Sequence, residues 1–330
     1  MGVVISGLGV GIPQRVLTNF DLEKMVDTSD EWIRTRTGIR ERHIASDGEN
    51  TSDLATSAGK EALASAGLSP SDIDLIIVAT ITADMPWPAA ACQLQQRLGT
   101  RLVPGFDLSA GCTGFIYGLW TADQVIRAGG ANHVLVVGAD CLSRVVDWQD
   151  RATCVLFGDG AGAAVVSKSG NDEGFLSFTL GADGSGAPLV CLPGGGSQNP
   201  ASHETVDKRL HYIKMNGAEV FRFAVRIMGE AATKALELAG ISSEEVACFV
   251  PHQANYRIIE AAAKRTGIPM EKVFINLDKY GNTSAASIPI ALYEARREGR
   301  INPGDTLVLV AFGAGLTWGA SVLRWTMPNG

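Results

Sequence analysis

Residues 106–118 read FDLSAGCTGFIYG. This pattern is typical of the end of a buried strand, a tight turn of small residues, and a helix that begins at or just before Cys112. The helix is apolar on every side over its first two turns, which is typical of a helix inside a core. Gly129 and Gly130 then end it. The stretch therefore predicts an α/β unit with a cysteine at the junction of strand and helix.

Cys112 has two interpretations at this stage. At the N-terminus of a buried helix, unpaired N–H groups and the helix dipole favour a thiolate, which is the form that a nucleophilic cysteine needs. Free cysteine is also among the most buried residue types, and it often acts only as a small apolar side chain. The segment by itself leaves both interpretations open.

The composition is that of a compact protein. The chain has 330 residues, 46% of them hydrophobic and 19% charged, and this balance excludes wholesale disorder. Its net charge of −7 argues against general nucleic-acid binding. The six cysteines include no Cys-x-x-Cys pair, and no apolar run approaches the roughly 20 residues needed to span a bilayer. We expect a cytoplasmic protein that binds neither nucleic acid nor membrane.

Predicted strands and helices alternate along the whole chain, as in an α/β fold. Strands are predicted at residues 3–8, 74–80, 133–137, 246–250, 273–277, 306–311 and 320–325. Helices are predicted at residues 51–66, 217–240, 254–266 and 285–297. Residues 181–211 are rich in Gly, Pro, Ser and Asn, and they predict loops over a site or at an interface.

The two halves of the chain resemble each other. The turns at Cys112 and Asn282 each follow a strand and precede a helix, and they lie about 170 residues apart. The glycine-rich turns at Gly158 and Gly313 form a second such pair. A repeat of about half the chain length predicts two duplicated βαβ-type halves, residues 1–170 and 171–330.

Cys112, His252 and Asn282 lie in turns around the ends of predicted buried strands. In open α/β sheets such turns gather at the carboxyl edge, where ligands bind. A pseudo-twofold axis relating the halves would bring the Cys112 and Asn282 turns face to face, with His252 between them. Taken singly, His252 also fits an ordinary core or surface histidine, and Asn282 a turn residue or helix cap. Taken together, the three predict one catalytic site.

Two early segments bear on ligand binding. Residues 7–13, GLGVGIP, are similar to a dinucleotide-binding fingerprint, but Ile12 occupies the third glycine position and Pro13 follows at once. This argues against a phosphate-binding helix. Residues 28–42 combine Trp32 with four arginines, a set that suits either a phosphorylated, purine-bearing ligand or an ordinary solvated basic face.

Over essentially its whole length, the chain resembles the β-ketoacyl-[acyl-carrier-protein] synthase III family of thiolase-fold condensing enzymes. The motifs that carry this resemblance are TSDEWIRTRTGI at 28–39, the Cys112 turn, GDGAGA at 158–163, PHQAN at 251–255, GNTSAASIP at 281–289 and FGAGLTWG at 312–319. The resemblance implies a five-layered αβαβα fold of two duplicated thiolase-like halves, a homodimer, and a catalytic triad of Cys112, His252 and Asn282. It implies acyl-CoA as a substrate, acyl carrier protein as a partner, and neither a metal nor a cofactor.

The resemblance also implies a reaction, the initiating condensation of type II fatty acid synthesis. Cys112 would take an acyl group from acyl-CoA, with its own backbone N–H and that of Ala314 as the oxyanion hole. Malonyl-acyl carrier protein would then lose CO2, and His252 and Asn282 would donate hydrogen bonds to the resulting enolate. The enolate carbon would attack acyl-Cys112 to give β-ketoacyl-acyl carrier protein.

Binding residues follow from the same resemblance. It implies CoA contacts at Thr28, Trp32, Arg36, Arg151 and Asn255, an acyl pocket at Trp87, Phe157, Leu189 and Phe312, and carrier-protein contacts at Arg222, Arg257, Lys264 and Arg265. Trp87 stands where the family usually places phenylalanine or a smaller residue, at the blind end of the pocket and reached across the dimer interface. Its bulk predicts a short primer such as acetyl, or a pocket rearranged around the indole.

The sequence also bears on four other functions that a related protein could have. A thiolase would need a second cysteine in the final glycine-rich turn, which has none. An elongating synthase would have a second histidine in place of Asn282 and a longer chain. A ketosynthase of secondary metabolism would keep the same triad, so the sequence leaves that alternative open. The intact triad argues against a catalytically silent acyl-CoA-binding protein.

Overall fold

The structure is a computed structural model that describes residues 2–171 and 173–328. Its strands are β1 (Gly2–Gly11), β2 (Arg15–Thr18), β3 (Glu41–Ile44), β4 (Leu75–Ala79), β5 (Gly105–Leu108), β6 (His133–Cys141), β7 (Asp159–Ser169), β8 (Gly174–Ala182), β9 (Val190–Cys191), β10 (Lys214–Met215), β11 (Val246–Pro251), β12 (Thr306–Gly313) and β13 (Thr317–Arg324).

The helices begin and end where local capping chemistry allows. They are α1 (Asn19–Leu22), α2 (Asp30–Thr37), α3 (Thr51–Ala66), α4 (Ala90–Leu98), α5 (Gly114–Arg127), α6 (Arg151–Cys154), α7 (His203–Asp207), α8 (Gly217–Ala239), α9 (Tyr256–Thr266), α10 (Leu277–Tyr280) and α11 (Ser287–Arg297). α3 begins after Asn50, which forms a capping box with Asp53, and it ends at Gly67 in the left-handed conformation. The same glycine ending closes α8 at Gly240.

The main sheet has the strand order β11-β12-β13-β8-β1-β7-β6-β4-β5. It consists of two similar halves, β1-β7-β6-β4-β5 and β8-β13-β12-β11, which meet at a parallel bridge between Val3 and Gly174. When the strands of each half are numbered along the chain, the first strand lies beside the last one in the sheet, and the second lies beside the third. This order matches the internal repeat in the sequence, while the division at residues 170 and 171 stays a prediction.

The helices form three layers around these strands. α3 packs on β1, β7 and β6; α5 and α11 pack between the two halves of the sheet; α8 packs on β13, β8 and β12. Three separate clusters of buried apolar side chains fill the spaces between the layers. The arrangement is the five-layered αβαβα fold, held together by burial on both faces of each half-sheet.

Glycines allow the start of α11 to lie directly against the first half-sheet. A Cβ atom at Gly138 would lie 2.2 Å from the carbonyl oxygen of Ala285, and one at Gly162 would lie 2.7 Å from the side chain of Pro289. A side chain at either position would push α11 away from β6 and β7. The turn that carries Asn282 would move with it.

The predicted strand at residues 273–277 is wrong. Val273 makes only an isolated bridge to Phe249, and Leu277 already begins α10. The Phe274 N–H still donates to the Phe249 carbonyl, but the next groups along the segment bond to the Gln253 side chain. Gln253 Nε2 donates to the Phe274 carbonyl, and Gln253 Oε1 accepts from the Asn276 N–H. The tertiary contact thus replaces the strand that the apolar pattern predicts.

Candidate active site

Cys112 lies in a short 3₁₀ turn, Gly111–Thr113, between β5 and α5. Gly111 has φ of 53°, a conformation that glycine adopts readily. The Thr113 hydroxyl lies 2.5 Å from the Ala110 carbonyl oxygen and 2.6 Å from the Thr317 hydroxyl, which fixes the turn against β13. The cysteine is therefore held at the point where strand, turn and helix meet.

Burial opposes the thiolate that the helix N-terminus favours. Desolvation raises the pKa of the Cys112 thiol to about 12; the Ser284 hydroxyl lowers this pKa, and the buried Asp140 carboxyl raises it further. The resting side chain is consequently a thiol at neutral pH, and the turn's N–H groups act on it as it ionises during attack.

The turns around Cys112 and Ala314 pack backbone to backbone. A Cβ atom at Gly111 would lie 2.9 Å from the backbone nitrogen of Ala314, and one at Gly313 would lie 2.7 Å from the backbone nitrogen of Cys112. Both glycines are needed for this close approach. The two peptide N–H groups implied as an oxyanion hole are thus next to each other.

His252 follows β11, and its ring is buried. Its Nδ1 lies 2.6 Å from the Ser287 hydroxyl oxygen. Its Nε2 is buried and has no hydrogen-bond partner within the described part of the chain. Burial lowers the pKa of His252 to about 3, so the ring is neutral at physiological pH.

Asn282 is held by its own backbone and by its side-chain oxygen. Its N–H donates to the Leu156 carbonyl, and its carbonyl accepts from the Gly158 N–H. Its Oδ1 accepts a hydrogen bond of 2.9 Å from the Ser284 N–H. Because this contact occupies the oxygen, the NH2 group is the part of the amide that remains for a ligand.

Cys112, His252 and Asn282 all line one cavity of about 410 Å³. Its wall is mostly apolar and includes Leu142, Val145, Leu156, Phe157, Val190, Leu192, Ile213, Met215, Val220, Phe221, Ile258, Phe312 and Leu316. No Asp, Glu, Lys or Arg is among the described residues that line it. A second thiol, Cys191, also lines the cavity. The cavity therefore combines the Cys112 thiol and two neutral hydrogen-bond donors with an apolar wall, the set needed for acyl transfer and enolate stabilisation.

This arrangement has close counterparts. The family model for 3-oxoacyl-[acyl-carrier-protein (ACP)] synthase III matches residues 106–184, and the model for its C-terminal region matches residues 236–325. The chain belongs to the 3-oxoacyl-[acyl-carrier-protein] synthase III family. The first match contains Cys112, and the second contains His252 and Asn282. The segments that show the family are therefore also the segments that form the cavity.

Individual family members match nearly end to end. The chain is 56% identical over 326 residues to the β-ketoacyl-[acyl-carrier-protein] synthase III of Desulfitobacterium hafniense strain Y51, covering 99% of this chain and 98% of that one. It is 57% identical over 322 residues to that of Caldanaerobacter subterraneus, covering 98% and 97%. The crystal structure of the Aquifex aeolicus VF5 synthase superposes with a TM-score of 0.91 at 52% identity, covering 98% and 100%.

Two of the four acyl-pocket residues expected from the family line this cavity, and two do not. Phe157 and Phe312 lie on its wall. Leu189 packs against the neighbouring apolar cluster, and the adjacent Val190 lines the cavity in its place. Trp87 is 82% exposed in the loop before α4 and lies outside the cavity of its own chain.

The expected CoA residues are brought together around Trp32. The guanidinium carbons of Arg36 and Arg151 lie 5.5 Å and 5.0 Å from the centre of the Trp32 rings. Asn255 lines the cavity, and its side-chain nitrogen donates to the carbonyl of Arg36. The Thr28 hydroxyl is buried and has no partner among the described residues. This group, which we call the Trp32 cluster, therefore joins the cavity through Asn255.

The expected carrier-protein residues lie on the adjacent helices α8 and α9. Arg222 pairs with Glu219, and Arg265 with Glu230. The Arg257 guanidinium lies 5.6 Å from the ring centre of Phe221, which itself lines the cavity. The basic surface formed by Arg222, Arg257, Lys264 and Arg265 thus borders the cavity at Phe221.

Sequence reasoning missed several residues of the site. Ser287 and Ser284 contact the catalytic side chains, yet both lie inside a motif where only Asn282 drew attention. Ile213, Met215 and Val220 form part of the cavity wall although no pattern marked them. The apolar residues between the loop region and α8 are the signal that could have identified this wall.

Within residues 2–171 and 173–328, His, Cys, Asp and Glu side chains form no group of three or more that could hold a metal ion. No described helix combines the length and apolar character needed to cross a lipid bilayer.

Proposed function

We propose that this chain catalyses the initiating condensation of type II fatty acid synthesis, in which an acyl group from acyl-CoA is joined to malonyl-acyl carrier protein. The observation that carries the proposal is the opening of Cys112, His252 and Asn282 onto one apolar cavity. The relatives at 56% and 57% identity are named β-ketoacyl-[acyl-carrier-protein] synthase III, which supports this role over one in secondary metabolism.

In the first half-reaction, Cys112 attacks the thioester carbon of acyl-CoA. The negative charge that forms on the acyl oxygen is stabilised by the N–H groups of Cys112 and Ala314, whose turns pack together. CoA leaves as a thiolate, which is a good leaving group, and the acyl group remains on the sulfur. The apolar wall then covers the acyl chain and excludes water that would hydrolyse it.

In the second half-reaction, malonyl-acyl carrier protein loses CO2 and the charge moves to its thioester oxygen. His252 is neutral, and its Nε2 has no hydrogen-bond partner among the residues that the structure describes. The NH2 group of Asn282 is not used by the Ser284 contact. Both can donate to the enolate without a change of charge. A carboxylate on the cavity wall would repel malonate and enolate alike, and the described wall has none.

CoA would be held by the Trp32 cluster. Two guanidinium groups beside an indole provide charge for phosphates and a flat surface for a purine. The Thr28 hydroxyl, which has no partner in the described part of the chain, is a further group that a polar ligand could satisfy. The reaction itself requires no redox cofactor, because thioester exchange and decarboxylation involve no net electron transfer. We place it in the cytoplasm, as the composition predicts.

We further propose that the protein acts as a homodimer formed through the β5 edge of the sheet. β5 is an outermost strand, and large apolar side chains are exposed around it, including Trp87, Leu102 and Phe106. Exposed strand edges and apolar patches of this kind are typical of association sites. Trp87 would then reach the acyl pocket of the partner subunit, which accounts for its position outside its own cavity.

Trp87 is expected to limit primer length. Wild-type protein should accept acetyl from acetyl-CoA at least about tenfold faster than octanoyl from octanoyl-CoA, because the indole fills the blind end of the pocket. Trp87→Gly should raise octanoyl loading and leave acetyl loading nearly unchanged. Trp120→Ala, at another exposed tryptophan, is the matched control, and the solution mass of each variant reports on the dimer. Equal loading of both primers by wild type would contradict the proposal.

The basic surface on α8 and α9 is proposed as the contact for acyl carrier protein. Arg257→Glu should raise the KM for malonyl-acyl carrier protein about tenfold at low salt, with less effect at high salt, because screening weakens the attraction. Acetyl loading from CoA should not change. Lys234→Glu makes the same charge change on α8 outside this surface. Equal effects of the two variants would contradict the assignment.

A further inference from the structure

The buried hydroxyl of Ser287 stands directly behind the catalytic histidine. Ser287 is the first residue of α11, it is 2% exposed, and its Oγ lies 2.6 Å from His252 Nδ1. His252 is 1% exposed. A contact this short between two buried groups is a hydrogen bond, and the position of its proton decides what the other ring nitrogen can do.

The neighbouring backbone indicates where that proton lies. The Gln253 N–H can only donate, and its nitrogen lies 3.4 Å from Ser287 Oγ. The serine oxygen therefore accepts from Gln253. Its second lone pair could also accept from an Nδ1–H, so the acceptor available to the buried serine proton decides the direction of the bond. Among the described residues, His252 Nδ1 is the acceptor within hydrogen-bonding distance. Nδ1 is thus unprotonated, and the single ring proton of the neutral imidazole lies on Nε2.

The Gln253 N–H is held in place for this task. The Gln253 side chain donates to the carbonyls of Pro251 and Phe274, at 2.8 Å and 3.1 Å, and accepts from the Asn276 N–H at 3.1 Å. These bonds fix the turn that contains His252. On the other side of the ring, Nε2 is buried, unpaired among the described residues, and part of a side chain on the cavity wall.

We propose that Ser287 is a positioning residue that holds His252 as the Nε2–H tautomer, so that its proton is directed at the malonyl thioester oxygen in the cavity. This inference rests on the proposed function. Asn282 and Ser287 lie on the same short segment before and at the start of α11, so that segment supplies one donor and orients the other. Loss of the hydroxyl allows Nδ1–H to form, with an acceptor at Nε2 that repels the enolate oxygen.

The test compares Ser287→Ala and Ser287→Thr with Ser321→Ala, a matched loss of another fully buried serine hydroxyl. Ser287→Ala should load acetyl from acetyl-CoA like wild type but release CO2 from malonyl-acyl carrier protein at least about tenfold more slowly. Ser287→Thr should restore much of the lost rate, because it keeps the hydroxyl. Ser321→Ala should leave both steps near wild type.

The tautomer is read directly from 15N shifts of the imidazole nitrogens. The chain has only five histidines, so His252→Ala identifies the His252 signals by subtraction. Wild type should show Nε2–H and Ser287→Ala a mixture with Nδ1–H. An unchanged tautomer in Ser287→Ala, or CO2 release equal to that of Ser321→Ala, would overturn the inference. If wild type releases no CO2, the proposed function fails, while the shifts still report on Ser287.

Discussion

Replacing Cys112 by alanine should abolish the condensation while leaving decarboxylation of malonyl-acyl carrier protein in place. The two donors for decarboxylation, His252 and Asn282, lie on other segments of the chain and keep their contacts to Ser287 and Ser284. Without the sulfur, no acyl-enzyme can form. We expect condensation to fall by more than about 10³-fold, to background, with labelled CO2 still released.

Cys92→Ala is the control for this prediction, because Cys92 is an exposed thiol. It should load and condense like wild type. Retained condensation in Cys112→Ala would show that another group accepts the acyl chain. Loss of both condensation and CO2 release, in a folded variant, would show that the thiol also contributes to decarboxylation and would contradict the separation of roles.

Replacing His252 or Asn282 by alanine should produce the opposite pattern. Each change removes one donor to the enolate oxygen, and loss of one such donor typically slows a reaction by about 10²–10³-fold. Acetyl transfer from acetyl-CoA to Cys112 should persist, because the oxyanion hole for that step consists of backbone N–H groups. The measurements are CO2 release for the second step and the mass of the acyl-enzyme for the first.

The charge and pH dependence of these donors provide further tests of the same prediction. Asn282→Asp should slow CO2 release more than Asn282→Ala, because a carboxylate repels both malonate and enolate. Burial lowers the pKa of His252 to about 3, so its neutral form persists on either side of neutrality. CO2 release should therefore show no ionisation of His252 between about pH 5 and 8. A loss of rate as His252 gains a proton in that interval would contradict the neutral-donor mechanism.

Much of this fold was predictable because its patterns are local. The apolar runs and the glycine helix endings follow from backbone chemistry that neighbouring residues determine. The strand expected at residues 273–277 failed because Gln253, distant in sequence, bonds to the backbone there. Local patterns do not reveal such a partner.

The site was predictable to the extent that its residues lie in motifs. Cys112 and His252 follow the ends of β5 and β11, and strand ends meet at one edge of a sheet. Asn282 follows α10 instead of the strand that the sequence predicts there. The role of Ser287 depends on a distance to His252 Nδ1 across two segments, so sequence could not identify it. The desolvation that raises the pKa of Cys112 was likewise not predictable, because the sequence indicates the helix terminus but not the burial of the thiol.

The most direct test of the central claim is the intact mass of the protein followed through one catalytic cycle. Wild type mixed with acetyl-CoA should gain about 42 Da at Cys112, one acetyl group per chain, and lose it when malonyl-acyl carrier protein is added, with acetoacetyl-acyl carrier protein as the product. Cys112→Ala should gain nothing. An acetyl group that forms on Cys112 but is not discharged by malonyl-acyl carrier protein, or the absence of loading by any acyl-CoA, would contradict the proposed function.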